Sequence, residues 1–273
     1  QGGCGPTGRG PRPGSGGSGK ASPVFPGPGL SVLSGFPSTL SSEMGPTGLL
    51  AGGGGGSWNG NQYSVDFDGA DDYCLFTEED LSSGGLTFSA WVNFSDITGT
   101  QRPIIAEDGN LSNWFFRPSN NYFYLRDLAN NSTFAGPWSG TPATDTWYHM
   151  MLIDDGLGNN NSSVKAYIDG ALVGTFGQTG IQGFKFDTIA RSGGRYFPGK
   201  IDEVAIWQND QTANIAAIYN SGVPGDLSGY SPLHWYRMGD NDGGTGTTIT
   251  DQGSGGNDGT LTNGPTFATD VPS

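Results

Sequence analysis

Cysteine, basic residues and long apolar runs are all scarce in this 273-residue chain. Its two cysteines are Cys4, in a glycine-rich segment, and Cys74, in the apolar run Tyr73-Cys-Leu-Phe76. A bridge between them is not expected; Cys74 reads as a small buried hydrophobe, and the fold must rest on its core rather than on cross-links. No stretch approaches the roughly 18 consecutive apolar residues of a membrane-spanning helix. No charged-then-apolar leader is visible, and a chain opening on Gln1 reads as a processed product or a piece of something longer. Twelve Lys and Arg stand against 26 Asp and Glu, for a net charge of −14. Residues 1–60 hold only Arg9, Arg12, Lys20 and Glu43, a local +2, which leaves −16 for the remainder. A body so acidic repels phosphates and anionic membrane surfaces, which argues against nucleic-acid binding. It suits a soluble surface protein able to hold a divalent cation. Phosphate-binding loops, His-Glu-x-x-His and Gly-x-Ser-x-Gly are all missing from the sequence.

What is present falls into three stretches. Residues 1–60 are dominated by glycine and proline, with Gly-Pro-Thr-Gly at 5–8 and again at 45–48 and a glycine run at 52–56. Such a segment builds neither a helix nor a central strand and reads as a stalk or linker. From residue 61 short apolar-polar alternations follow one another, each bounded by Gly, Asn, Asp or Pro. That pattern predicts strands at 63–68, 73–76, 86–94, 103–106, 113–117, 122–126, 147–153, 164–168, 172–176, 184–190 and 200–207. Asp169-Gly170 predicts a tight hairpin turn. Only residues 212–220 carry helical periodicity, with Ile215, Ile218 and Tyr219 on one stripe. Many short strands and almost no helix mean an all-β, antiparallel two-sheet sandwich.

Four segments make the fold more specific: Ser64-Val-Asp-Phe-Asp-Gly-Ala-Asp-Asp-Tyr73, Leu86-Thr-Phe-Ser-Ala-Trp-Val92, Trp147-Tyr-His-Met150 with Val164-Lys-Ala-Tyr-Ile-Asp-Gly170, and Phe197-Pro-Gly-Lys-Ile-Asp-Glu-Val-Ala-Ile-Trp207. Their order resembles that of laminin-G-like jelly-roll modules of the concanavalin A type, over about 145 residues. Such modules often open on an element that here precedes nothing and stands at the far end instead: Leu233-His-Trp-Tyr-Arg-Met-Gly-Asp240, Gly246-Thr-Thr-Ile-Thr-Asp251 and Asn257-Asp-Gly-Thr-Leu261. Residues 61–229 are therefore assigned to the sandwich. Residues 230–273 either complete it with edge strands or start a truncated second module, the first being favoured because an isolated strand pair is marginal. The stretch Ser22-Pro-Val-Phe-Pro-Gly-Pro-Gly29 and the glycine run after it resemble the shafts of marine bacteriophage tail-fibre-like proteins. That resemblance implies a virion or other extracellular location, and a trimer if the stalk belongs to a fibre.

The resemblance further implies a carbohydrate-binding or adhesive module whose partner is a glycan or cell-surface polysaccharide. A structural spacer and a divergent glycoside hydrolase are the alternatives. Glucanases of this fold carry Glu-x-Asp-x-Glu or Glu-x-Asp-x-x-Glu, and neither occurs; Asp202 and Glu203, as neighbours on a strand, are expected on opposite faces. His149 and His234 lie beside aromatics and read as packed side chains. Relatives that hold calcium at the sandwich rim make Asp68, Asp71, Asp72 and Asp202 the candidate oxygen ligands, Asp66 a weaker one, against ordinary turn formation or a buried loop-pinning carboxylate. For a sugar platform, Trp138, flanked by Gly136, Pro137 and Gly140, is expected in an exposed loop and ranks first. Tyr196 with Arg195 ranks second. Trp114 and Tyr122, next to Asn113 and Asn121, complete the set, with Trp114 equally readable as core.

Overall fold

The computed structural model describes residues 58–81, 85–109, 112–129, 132–138, 140–156, 163–177 and 181–273. Cys4 and the glycine-rich stretch 1–57 lie outside the described residues. Two antiparallel sheets face each other. The first runs Ala171–Gly177, Ser163–Ile168, Trp147–Asp154, Thr87–Phe94, Pro198–Trp207, Ser64–Asp68, Thr266–Ala268, with His234–Tyr236 also paired to Pro198–Trp207. The second runs Thr248–Ile249, Gly259–Thr262, Tyr73–Leu81, Phe184–Ile189, Arg102–Ala106, Asn113–Arg117, Tyr122–Arg126, Ser132–Pro137. A two-strand hairpin, Arg191–Ser192 with Arg195–Tyr196, stands apart.

Alternation decides what each strand buries. Phe88, Ala90, Val92 and Phe94 point between the sheets and meet Trp114, Phe116, Phe184 and Phe186 from the other side. Ring centroids lie 4.8 Å apart for Phe88 and Phe184 and 5.2 Å for Phe94 and Phe116. Aromatic pairs at these distances add about 0.5–1.5 kcal/mol each beyond area burial. Cys74 is a free, buried thiol in this core, and burial pushes its pKa up, which makes it inert. Asp169 and Gly170 both adopt positive φ (50° and 73°), the geometry of a two-residue hairpin turn.

The segment after residue 230 is part of the same body. Gly259–Thr262 pairs with Tyr73–Leu81, and Thr266–Ala268 pairs with Ser64–Asp68. Tyr236, Met238, Ile249 and Leu261 enter the inter-sheet core. A second apolar cluster on the outer face of the first sheet joins Met151, Ile153, Tyr167, Trp207, Ile218, Leu227 and Trp235. Its lid is the helical stretch, a 3-10 turn at Thr212–Asn214 followed by the α-helix Ile215–Tyr219, which is shorter than the periodicity suggests. Among the described residues no helix is long and apolar enough to cross a membrane.

Candidate functional site

The turn between strands Ser64–Asp68 and Tyr73–Leu81 gathers three carboxylates at the rim. Asp68 Oδ1 accepts from the amides of Ala70 (2.7 Å) and Asp71 (3.3 Å), and Asp72 Oδ2 accepts from the Asp68 amide at 3.1 Å. Gly69, at φ +77°, lies so close to the next strand that a Cβ would come within 2.7 Å of Pro198 Cβ, so the turn admits no side chain there. One carboxylate oxygen from each of Asp68, Asp71 and Asp72 falls within 4.8 Å of the others, and none of the three forms an ion pair among the described residues. The amide of Ala70 leads the bonds that hold the Asp68 pKa below its usual value. Burial raises that of Asp72, and the charges of Asp68, Asp71 and Asp66 add to the rise. Beside the turn opens a cleft of about 250 Å³ lined by Asp66, Asp68, Asp72, Asn263, Gly264 and Thr266. Asn263 Nδ2 also donates to the Asp71 carbonyl at 2.9 Å. The far wall thus comes from the last strand connection of the chain.

Next to this cleft stands the Arg191–Tyr196 hairpin. The Arg191 guanidinium lies 4.5 Å over the Tyr73 ring and 6.0 Å from that of Tyr196, and it pairs with Asp108 at 3.0 Å. Tyr196 and Arg195 are half-buried. The Asp turn and the Arg195–Tyr196 pair therefore converge on one end of the sandwich, linked through Tyr73 and Pro198.

Asp202 does not join them. It is fully buried and accepts from Asn61 Nδ2 at 2.9 Å and from the Glu203 amide at 2.8 Å. The expectation that Asp202 and Glu203 face opposite sides is also corrected. Between Asp202, opposite Trp91, and Ala205, opposite Ser89, the strand carries one extra residue, and Glu203 sits at φ +47°. This bulge interrupts the alternation and turns Glu203 to the same outer face. There Glu203 accepts from Arg237 Nε (3.2 Å) and Trp235 Nε1 (2.5 Å), while Arg237 also reaches Asp240 at 3.0 Å. Asp240 in turn accepts from the amides of Gln62 and Tyr63. Two of the three buried carboxylates, Glu203 and Asp240, share the Arg237 guanidinium, while Asp202 is held by Asn61 and the Glu203 amide. Burial, opposed by Arg237, pushes the Glu203 pKa up to about 7, and burial with the Glu203 charge raises that of Asp202.

Trp138 is corrected as well. Only 6% exposed, it packs edge-on against Tyr148 (4.7 Å) and Phe116 (5.4 Å) in the main core, so its face is closed to a sugar. The neighbouring Pro137 ends a strand paired to Tyr122, and this tethers the tryptophan that its glycine-rich flanks suggested would be exposed. Trp114 is wholly buried. Tyr122 is half-buried on the outer face of the second sheet. On that face alternation also sets Phe115 and Tyr124, stacked at 5.1 Å and 6°, with Arg117 lying 4.6 Å over Tyr124. Sequence reading missed Phe115, Tyr124, Arg117 and Tyr73; the available signal was their odd-even offset from Trp114, Phe116, Phe123 and Cys74.

The histidines are packed. His149 Nε2 lies 2.8 Å from Ser89 Oγ, and burial pushes its pKa down to about 3. The adjoining cavity, lined by Ser89, Trp91, His149 and Glu203, measures about 10 Å³, the room of one water rather than of a substrate. His234 Nδ1 lies 2.7 Å from Asp251 Oδ2, a buried contact that fixes the C-terminal loop.

Comparison with known proteins agrees with this architecture. A putatively assigned carbohydrate-binding protein from Bacteroides ovatus superposes with a TM-score of 0.59 at 20% identity, over 78% of this chain and 61% of that one. The chain thus spans less than two thirds of that relative's length. A heptameric SAP-like pentraxin from Limulus polyphemus (TM-score 0.43, 15% identity, 58% of this chain and 82% of that one) is more distant. So is domain 4 of an extracellular arabinanase from Geobacillus stearothermophilus, in complex with arabinotriose (0.43, 18%, 57% and 76%). No curated protein sequence matches. A family model described as the concanavalin A-like lectin/glucanases superfamily matches residues 68–217, more than half of the sequence, and the chain belongs to that superfamily.

Proposed function

We propose that this domain is a non-catalytic carbohydrate-binding or adhesion module that engages a glycan or cell-surface polysaccharide at the rim. The observation that carries this is the cleft of about 250 Å³ walled by Asp66, Asp68, Asp72, Asn263 and Thr266, beside the Tyr73–Arg191–Tyr196 cluster. It is smaller than a typical drug-sized pocket and rich in hydrogen-bonding groups, which suits one small polar ligand or the end of a chain. The superposition on the Bacteroides ovatus protein supports the fold that carries such sites. Fold alone does not assign function, so the reading rests on the rim.

Asp68, Asp71 and Asp72 offer hard oxygen ligands suited to calcium, which would bridge them to sugar hydroxyls. Hydrolysis fits less well. Carboxylate oxygens within 4.8 Å are closer than the roughly 5–9 Å separation of glycosidase pairs, and Asp72 is buried with one oxygen held by a backbone amide. In the same proposal the module is displayed on a phage tail fibre or another extracellular surface, as a trimer on a fibre. The test is a glycan-array screen of the full chain with calcium and with chelator, alongside Asp68→Asn. Binding that weakens with chelator or in Asp68→Asn supports the rim site. Silence on every glycan under both conditions favours a structural spacer instead.

A further inference from the structure

Nine Lys and Arg residues serve the acidic body after residue 60. Arg102, Lys185, Arg191, Lys200 and Arg237 each form an ion pair with a carboxylate, and Arg126 is engaged too. Lys165, on the first sheet, and Arg117 and Arg195 form no ion pair and no side-chain hydrogen bond among the described residues. In a body carrying −16, an arginine without a carboxylate is the exception.

Arg117 lies on the outer face of the second sheet, and Arg195 on the separate two-strand hairpin fastened to that sheet. Asn113, Phe115 and Arg117 alternate along one strand on that face, opposite Arg126, Tyr124 and Tyr122. The hairpin that carries Arg195 is fastened to the Asn113 end: Asn113 Nδ2 donates to Ser192 Oγ at 3.0 Å, and Ser192 is the cross-strand partner of Arg195. Arg117 stands four residues further along, roughly 13 Å at the rise of a strand. The buried Phe115–Tyr124 stack lies between them. Arg117 rests its planar face on that stack, 4.6 Å from Tyr124 and 5.7 Å from Phe115. This contact satisfies the face of the guanidinium and leaves its N–H fork available in the plane. A pre-oriented fork of that kind matches a carboxylate or sulfate by two parallel hydrogen bonds. Asn120, whose Nδ2 bonds Tyr124 Oη at 2.6 Å, and half-buried Tyr122 border the same corner.

We infer that this face binds an acidic glycan, one bearing carboxylate or sulfate groups, with Arg117 and Arg195 as its two anchors. The inference rests on the carbohydrate-binding reading above and names the ligand class. The acidic charge elsewhere opposes it only weakly, because at physiological ionic strength fields fade over about 8 Å. The acidic body then limits anion binding to the place where the arginines stand.

The test measures binding of the full chain to uronate oligosaccharides, sulfated oligosaccharides and their neutral counterparts, for wild type, Arg117→Gln and Arg195→Gln. The expected result is preferential binding of one acidic class, weakened about tenfold or more in each variant, with neutral binding and melting temperature unchanged in Arg195→Gln. Which acidic class binds distinguishes carboxylate from sulfate. Because Arg117 supports the aromatic stack, Arg195→Gln, which removes no ion pair and no side-chain hydrogen bond among the described residues, keeps the test independent of folding. Neutral glycans bound as well as acidic ones, or acidic binding untouched in both variants, would overturn the inference and leave the carbohydrate-binding reading standing. Failure to bind any sugar would overturn both.

Discussion

Two groups of three carboxylates sit in this molecule, and their surroundings give them opposite roles. At the rim, Asp68 and Asp71 are exposed, Asp72 lines a cleft, and no cation pairs with them among the described residues. Inside, Asp202, Glu203 and Asp240 are enclosed by Asn61, Trp235 and Arg237, and every one of them is bonded. Desolvation makes the difference. A buried carboxylate is tolerated only with partners, so its oxygens are committed to the fold. A solvated one keeps oxygens available for a ligand or a metal.

The comparison predicts a hierarchy of effects. Deleting residues 230–273 removes Arg237 and Asp240 from the inner group and Asn263 and Thr266 from the rim, together with four core side chains. At about 1.5–3 kcal/mol per buried side chain, that loss rivals the 5–15 kcal/mol of a whole domain. Cooperative unfolding should vanish in calorimetry. Arg237→Ala strands Glu203 and Asp240 without their cation and should cost about 3–5 kcal/mol in denaturant unfolding. Trp138→Ala should cost a similar 3–5 kcal/mol by opening the core, rather than acting on a ligand.

The inner group also predicts a pH dependence of definite sign. The folded-state pKa of Glu203 is raised to about 7, so its contribution to stability is full below the ordinary carboxylate range and is lost as pH rises toward neutrality. The melting temperature should fall between about pH 5 and pH 7.5, and Glu203→Gln should flatten that slope. Asp251 works the other way. Burial alone would raise its pKa, but His234 and the amides of Trp235, Asn257 and Gly253 together hold it low. Its stabilisation is therefore lost as pH falls through the acid range. Opposing slopes place the stability maximum on the acid side of neutral.

Much of the sandwich is legible in the sequence because period-two alternation is a local property. The strands Asn113–Arg117 and Tyr122–Arg126 have the boundaries that their residues suggest, and Asp169-Gly170 forms the turn that its chemistry predicts. What alternation cannot convey is where it breaks. The bulge at Glu203 leaves no mark in Ile-Asp-Glu-Val, yet it turns Glu203 to the face that Asp202 already occupies. Trp138 misleads for a related reason: glycine and proline neighbours signal a loop, but not that the loop folds its tryptophan back under Tyr148. The Asp68–Asp72 turn is readable as a cluster because all its members are local, whereas its far wall at Asn263 and Thr266 comes from about 190 residues away and needs the fold.

The most direct measurement takes one variant from each carboxylate group and reads binding and stability on both. Asp68→Asn with Asp71→Asn should lose the chelator-sensitive glycan binding at the rim while its melting temperature stays close to that of the wild type. Glu203→Gln should change the melting temperature and its pH slope while leaving binding intact. Unimpaired chelator-sensitive glycan binding by the rim variant, or that binding lost in a folded Glu203→Gln protein, would contradict the division of roles between the two groups.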